Sequence, residues 1–168
     1  ASECTVHVVG SIQMEACEGL AYRAILDVEK LQPNYIVLSM PTGMRICRGP
    51  RGRAEIGITL RGQAVHASDP SKGINAIYEI SEIVRGIKQL NDTLPEDPLL
   101  GKATIAVTHI DSTSHSSRQL PELCRITIDR RLTPQDDEKK ILKEIQTICR
   151  GTRAKIEIIE HDAPTYRG

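Results

Sequence analysis

Two polar side chains stand in local patterns that could support catalysis or ligand binding. His66 lies in a loop-forming stretch with Ser68 and Pro70, and an imidazole can donate or accept a proton near neutral pH. Arg131 ends an alternating stretch two residues after Asp129, and its planar guanidinium can bind a carboxylate through two parallel hydrogen bonds. Each has a plainer interpretation: His66 as a surface or capping histidine, and Arg131 as a strand-end arginine paired with an acid.

Other candidate ligands are spaced in ways that are typical of no metal site. His109, Asp111 and His115 flank a serine-rich loop, where solvated histidines are the favoured interpretation. Asn75 could either start a helix or contact a ligand.

The composition narrows the class of protein. The 22 basic residues balance the 22 acidic residues, so bulk electrostatics favours neither nucleic acid nor an anionic membrane. With four Tyr, no Phe and no Trp, the chain needs an aliphatic core and offers few surfaces for base stacking. Its five cysteines are scattered, as in a reducing compartment, and no apolar run approaches the ~20 residues of a membrane span. We therefore expect a cytoplasmic protein with no nucleic-acid or membrane partner.

The first 50 residues predict a strand–helix–strand unit. Residues 4–12 form a Val-rich run typical of a buried strand, residues 18–31 place apolar side chains at helical spacing, and residues 34–39 form a second apolar run. This order predicts two parallel strands joined by a helix. One such unit is too small to stand alone, and the Gly- and Arg-rich segment 45–55 marks a domain boundary.

The rest of the chain predicts a second domain, of the α+β kind within the broad α/β class. Its pattern is β-α-β-β-α-β, the order of a ferredoxin-like fold. A second helix is expected after Thr133, with Thr133 as its cap. The other expected elements are a strand at 53–65, a helix at 74–90, a loop at 91–101, and strands at 103–109, 123–131 and 154–160.

Residues 51–160 resemble the lid, or dimerisation, domain of a family of zinc-dependent hydrolases. The family includes aminoacylases, acetylornithine deacetylases, succinyl-diaminopimelate desuccinylases and glutamate carboxypeptidases. The residues in register with its Gly-x-x-x-His-x-Ser-x-Pro, Gly-x-Asn-Ala and Asp-x-Arg motifs are Gly62, His66, Ser68, Pro70, Gly73, Asn75, Ala76, Asp129 and Arg131. The resemblance implies that residues 1–50 are part of the catalytic domain and that residues 161–168 return to it.

The resemblance also implies paired zinc ions that activate a water for attack on an amide carbonyl. Glu15 matches one zinc ligand of the family, but Met14 stands at the position of the general base and Met40 at that of a second acidic ligand. A thioether can neither take the proton of that water nor replace a carboxylate on zinc. The early His-x-Asp motif and the late His of the family are expected outside this chain. We therefore expect Glu15 to be a vestigial ligand and this chain to bind no zinc by itself.

The lid residues of the family are better preserved. The resemblance implies that His66 reaches the active site of a partner subunit and donates a hydrogen bond to the developing oxyanion. It implies that Arg131 and Asn75 contact the substrate, and that two copies pair through a helix and a sheet edge. One departure is Arg118, which stands where the family has an Asn three residues before Pro121.

Two functions remain open from the sequence. In the first, the chain is a fragment or degenerate member of a zinc-dependent amidohydrolase or peptidase family that acts on N-acyl amino acids or peptides. It would then form mainly the lid of a homodimer and would not be catalytically competent alone. In the second, it is a non-catalytic ferredoxin-like module for self-association or binding.

Overall fold

The computed structural model describes residues 5–10, 20–39, 41–44, 46 and 49–162. The chain divides into two compact units, Ala1–Arg45 and Ile46–Gly168. Each unit is described by itself.

In the first unit the predicted helix forms, but the described parts of the predicted strands do not. Helix α1 spans Leu20–Asp27, shorter than the expected 18–31. Residues 5–10 and 34–39 are not in strands, so the predicted strand–helix–strand unit is wrong for these residues. A parallel strand is held by neighbouring strands and by burial on both faces. Val8 and Val37, which a buried strand would cover, are each 94% exposed.

The second unit contains the predicted β-α-β-β-α-β order. Two short strands interrupt the predicted loop at 91–101, because residues on either side of its tip pair with each other. The elements are β1 (Gly52–Arg61), a 3-10 turn (Pro70–Lys72), α2 (Ala76–Thr93), β2 (Glu96–Asp97), β3 (Gly101–Lys102), β4 (Thr104–Thr113), β5 (Leu123–Leu132), α3 (Glu138–Ile148) and β6 (Lys155–Asp162).

The four long strands form one antiparallel sheet in the order β4-β5-β1-β6. This topology confirms the α+β, ferredoxin-like prediction. The register places Ile56 opposite Ile128 on β5 and Ile158 on β6. Strand β6 extends to Asp162, which pairs with Arg53, so the last strand ends two residues later than the expected residue 160.

The core lies between one face of the sheet and the two helices α2 and α3. On β1, the residues Ala54, Ile56, Ile58 and Leu60 are at most 1% exposed, as the alternating pattern predicts. Burying one Ile or Leu side chain stabilises the fold by about 1.5 to 3 kcal/mol. The helices contribute the aliphatic side chains of Ala76, Ile80, Ile83, Ile87, Ile141 and Ile145.

Both helices of this unit begin at residues whose side chains accept a backbone N–H. The Asn75 Oδ1 accepts from the Ile77 N–H at 2.9 Å, and the Asp137 Oδ1 accepts from the Lys140 N–H at 2.7 Å. The expected cap, Thr133, was wrong. Its own N–H and hydroxyl donate to Asp136 instead, each at 3.0 Å, so the helix starts later.

Two charged side chains of this unit, Arg130 and Asp136, are fully buried. Arg130 on β5 is 0% exposed, and its Nη2 lies 3.2 Å from Asp136 Oδ1 and 3.4 Å from Glu144 Oε2. Lys140 Nζ also donates to Asp136 at 3.0 Å. Burial opposes ionisation of Asp136, but the hydrogen bonds from Thr133 and Lys140 and the charge of Arg130 outweigh it and lower the pKa of Asp136.

Among the described residues, no helix has the length and apolar character that crossing a membrane requires.

Candidate functional site

The segment that carries His66 leaves the end of β1 and packs closely against the start of α2. Gln63 and Ile74 exchange backbone hydrogen bonds of 2.8 and 3.1 Å, which fold residues 62–76 into a narrow loop. A side chain at Gly62 would lie 2.3 Å from the Ile74 carbonyl oxygen, and one at Gly73 would lie 2.4 Å from a Val65 methyl group. These two motif residues must be glycine because other parts of the chain fill the space where a Cβ would stand.

A second backbone contact holds His66 itself. His66 and Gln119 form an isolated antiparallel bridge, the Ala67 N–H donates to the Arg118 carbonyl at 2.7 Å, and the Leu120 N–H donates to the Val65 carbonyl at 2.9 Å. The backbone of His66 is therefore fixed on both sides. Its side chain remains exposed.

The His66 ring is oriented by Ser68. The Ser68 backbone N–H donates to His66 Nδ1 at 3.2 Å, and the Ser68 hydroxyl lies 2.7 Å from the same nitrogen. A backbone N–H can only donate, so Nδ1 accepts this hydrogen bond when the neutral ring has its proton on Nε2. In this arrangement Nε2 is a hydrogen-bond donor that Ser68 does not use.

Gln119 was missed by sequence reasoning. Residues directly opposite in an antiparallel pair direct their side chains to the same face, so Gln119 shares a face with His66. Its amide is exposed and can both donate and accept. No local pattern in the sequence shows that Gln119 lies beside His66, because the two paired residues are 53 positions apart. The sequence directed attention to its neighbour Arg118 instead.

Arg131 lies on the sheet face opposite the helices, where it is already paired. Its Nε donates to Asp129 Oδ1 at 2.8 Å and its Nη2 to Asp129 Oδ2 at 3.1 Å. Asp129 also accepts from Arg53 at 2.8 Å, and this hydrogen bond raises the pKa of Arg53. The contacts of Arg131 are therefore those of a strand-end arginine that is paired with an acid. Its side chain is nevertheless 43% exposed.

His66 and Arg131 lie at opposite ends of the sheet. Arg131 pairs with Arg53 near the start of β1, whereas His66 follows Arg61, the last residue of β1. The eight residues from Arg53 to Arg61 span about 26 Å at 3.3 Å per residue. One copy of this chain therefore cannot bring both side chains to one small molecule.

Asn75 lies at the closed end of the same loop as His66, but its side chain serves α2. The oxygen of its amide is occupied by the Ile77 N–H. The next residue, Ala76, donates its N–H to the Pro121 carbonyl at 3.2 Å, which joins the start of α2 to the segment that carries Gln119. A substrate contact from Asn75 would use its amide nitrogen or the second lone pair of its amide oxygen.

The described residues offer no metal centre. Among them, no group of three or more His, Cys, Asp or Glu side chains lies close enough to hold a metal ion. His115 is 3.1 Å from Glu122, and His109 is 3.9 Å from Asp111, but these are exposed pairs. Met14, Glu15 and Met40, on which the zinc expectations depend, lie outside the described residues.

An antiparallel four-stranded sheet with two helices on one face and a glycine-bounded histidine loop at one end defines a dimerisation domain of the lid type. The chain belongs to the M20 peptidase dimerisation domain family, whose family model matches residues 48–157. This assignment confirms the resemblance found from residues 51–160. Members of the family are metal-dependent, typically with zinc.

Curated relatives match the chain over part of their own length. The uncharacterised protein YgeY of Escherichia coli strain K12 is 34% identical over 168 residues, which is 99% of this chain and 42% of YgeY. The acetylornithine deacetylase of Aliivibrio fischeri strain MJ11 is 32% identical over 78 residues, 46% of this chain and 21% of that enzyme. The chain thus spans less than half the length of these relatives.

Solved structures show the same fold at low identity. The aminobenzoyl-glutamate utilization protein from Klebsiella pneumoniae matches with a TM-score of 0.58 and 14% identity, over 73% of this chain and 32% of its own. An amidase of the hydantoinase/carbamoylase family from Burkholderia multivorans matches with a TM-score of 0.53 and 20% identity, over 70% and 29%. These similarities concern the fold alone.

Proposed function

We propose that this chain is the lid of a zinc-dependent amidohydrolase or peptidase that acts on N-acyl amino acids or peptides, and that it works as a homodimer. His66 would donate its Nε2–H to the carbonyl oxygen of a substrate bound at the partner subunit. Zinc, held by residues of the catalytic domain, supplies the activated water in such enzymes. The observation that carries the proposal is the exposed, doubly fixed His66 at one end of a dimerisation domain.

The separation of His66 from Arg131 supports a site shared between subunits. Because about 26 Å of strand β1 separates the end that pairs with Arg131 from the end that leads to His66, a substrate held by both would take His66 from one subunit and Arg131 from the other. Asp129 takes two of the N–H groups of Arg131, so a substrate carboxylate would have to share the guanidinium with Asp129.

Strand β4 is the edge that we propose for self-association. Strand β4 carries one acidic residue, Asp111, and no lysine, arginine or proline, so nothing on it opposes pairing with a second copy. Its Ile110 is 54% exposed. The other edge, β6, has charged residues through most of its length, and pairing it with itself would bring like charges together.

Helix α2 extends the proposed interface beside β4. Ile77 and Tyr78 on α2 are 40% and 70% exposed, although the sequence pattern places Ile77 in the buried stripe. An open apolar groove of about 290 Å³ runs between α2 and β4, lined in part by Val84, Ile87 and Val107. A second copy would cover Ile77, Tyr78 and the exposed parts of Val84 and Val107.

Sedimentation velocity on this chain tests the dimer. The wild-type chain is expected to be a dimer at micromolar concentration, and Ile110→Lys is expected to shift it to monomer because a charge would be buried without a partner. Ile159→Lys is the matched control, since Ile159 on β6 is 57% exposed and lies on the other edge. A monomeric wild type, or equal behaviour of both variants, would contradict the proposed interface.

Mixed dimers test the shared site in the protein encoded by the whole reading frame. His66→Ala alone is expected to lower kcat for N-acetyl amino acids by about 100- to 1000-fold, the usual cost of one oxyanion donor. Mixing the His66→Ala and Arg131→Ala proteins should restore roughly a quarter of the wild-type rate, because half of the dimers are mixed and each carries one intact site. No recovery on mixing would exclude a site shared in this way.

The second candidate is a non-catalytic module for self-association, in the cytoplasm. It is favoured by Met14 and Met40 at two positions where the family has acidic residues. An activity assay on the protein encoded by the whole reading frame decides between the two functions. Zinc-dependent hydrolysis by the wild-type protein would exclude the non-catalytic module. Hydrolysis that appears only after Met14→Glu and Met40→Glu supports it.

A further inference from the structure

We propose that Ser68 is a positioning residue that keeps the ring proton of His66 on Nε2. The inference deepens the proposed function, since an Nε2–H donor is what an oxyanion contact needs, but it concerns a property of this chain that can be measured without any substrate. It is carried by the two contacts that converge on Nδ1, from the Ser68 N–H at 3.2 Å and the Ser68 hydroxyl at 2.7 Å.

The backbone contact decides the tautomer. If the proton of the neutral ring were on Nδ1, the Ser68 hydroxyl could accept it, but the Ser68 N–H would face that proton and would lose its acceptor. With the proton on Nε2, Nδ1 accepts from the Ser68 N–H, and the Ser68 hydroxyl can rotate to donate to the same nitrogen. One ring position then satisfies both donors of Ser68.

The backbone pairing makes the arrangement rigid. The bridge between His66 and Gln119 and the bond from the Ala67 N–H to the Arg118 carbonyl fix the residues on each side of the ring. The Asp69 N–H donates to the His66 carbonyl at 3.0 Å, which closes a turn around Ser68. Ser68 is therefore held beside Nδ1 by the fold, and Nε2 is left to face away from this turn.

NMR of the histidine side chains tests the inference directly. The chain would be labelled with ¹⁵N at histidine, and two-bond ¹H–¹⁵N correlations would be recorded at a pH where the rings are neutral. The His66 signals would be assigned from their loss in His66→Gln. The wild-type chain is expected to show His66 with the proton on Nε2.

Three variants test whether Ser68 itself, rather than any change in the loop, sets the tautomer of His66. Ser68→Pro lacks the backbone N–H that favours a proton on Nε2, and is expected to shift the tautomer ratio about fivefold toward Nδ1–H, which corresponds to one hydrogen bond of about 1 kcal/mol. Ser68→Thr keeps the hydroxyl and should retain the wild-type ratio. Ser71→Ala is the control, because the Ser71 hydroxyl donates to Asp69 and not to His66.

The inference is overturned if His66 in the wild-type chain carries its proton on Nδ1, or if a folded Ser68→Pro chain keeps the wild-type ratio. Unchanged amide spectra outside residues 66–70 would show that each variant is folded. This result is separable from the proposed function: a chain with the Nε2–H tautomer could still lack hydrolase activity, which would refute the proposed function and leave the role of Ser68 intact.

Discussion

The glycines of the histidine loop are explained by packing at the scale of single atoms. A Cβ at Gly62 would meet the Ile74 carbonyl oxygen at 2.3 Å, the Ala76 nitrogen at 2.9 Å and the Pro121 carbonyl oxygen at 3.0 Å. All three are backbone atoms, which cannot rotate away. Gly62 thus allows three segments to meet behind His66, and its role is to support the loop rather than to contact a ligand.

Gly62→Ala is expected to lower the free energy of unfolding by about 1 to 3 kcal/mol, since the backbone must shift to admit the methyl group. Urea denaturation followed by circular dichroism measures the change. Gly57→Ala is the control: its Cβ would meet only the flexible end of the exposed Ile159 side chain at 3.3 Å. Equal stability of the two variants would contradict this account.

The buried carboxylate of Asp136 gives the fold a dependence on pH. The pKa of Asp136 in the folded chain is below its ordinary value of 3.8, so the folded chain binds fewer protons than the unfolded chain in acid. The stabilisation by Asp136 is therefore complete above the ordinary pKa and is lost as the pH falls through the lowered one.

The free energy of unfolding of the wild-type chain is expected to decrease as the pH is lowered below about 4. Asp136→Asn removes this titration and should show a shallower decrease, whatever its stability at neutral pH. Urea denaturation over a series of pH values measures both slopes, with Asp92→Asn at an exposed position as the control. An unchanged slope in Asp136→Asn would refute the assignment.

At the scale of elements, the ends of helices are set by single side chains. Asn75 and Asp137 each accept a backbone N–H in the first turn of α2 and α3. Thr133, which the sequence pattern favours as a cap, donates to Asp136 instead. The buried Arg130 also donates to Asp136, so this carboxylate lies inside the fold. The helix start therefore depends on a charge placed by the sheet.

The capping role of Asn75 can be separated from a substrate contact. Asn75→Ala is expected to lower the free energy of unfolding by about 1 kcal/mol, whereas Asn75→Asp keeps the acceptor and should be as stable as the wild type. Thermal or urea unfolding measures both. If Asn75→Ala were fully stable, the cap would contribute nothing and the substrate contact would become the better explanation of this residue.

At the scale of the whole molecule, the second unit contains the hydrophobic core among the described residues. Every buried apolar residue of the core cluster lies between Ala54 and Cys149. The described part of the first unit instead exposes large apolar side chains, including Val8, Tyr35 and Val37. The two units therefore differ in how much apolar surface they bury for themselves.

A chain of residues 46–168 is expected to unfold in urea with the same free energy as the full chain, within the roughly 10–15% uncertainty of the extrapolation. The physical reason is that the core cluster lies entirely inside this segment. Removing residues 1–45 also removes exposed apolar surface, so the shorter chain should aggregate less during refolding. A large loss of stability would show that the first unit contributes to the core.

The sequence by itself determined the β-α-β-β-α-β order and the sheet faces, because the side-chain periods of strands and helices depend only on near neighbours in the chain. The motif glycines and His66 were found differently, through their resemblance to the lid-domain motifs of the hydrolase family. The ends of elements were less predictable, since β6 reaches Asp162 only by pairing with Arg53.

The tertiary structure alone decided what surrounds each functional residue. It places Gln119 opposite His66, holds Ser68 against the His66 ring, buries Arg130, and separates His66 from Arg131 by the length of the sheet. All four depend on which distant segments pair and in what register. Hydrogen bonding between strands that are far apart in sequence fixes that register. The side-chain period along a single strand or helix contains no information about it.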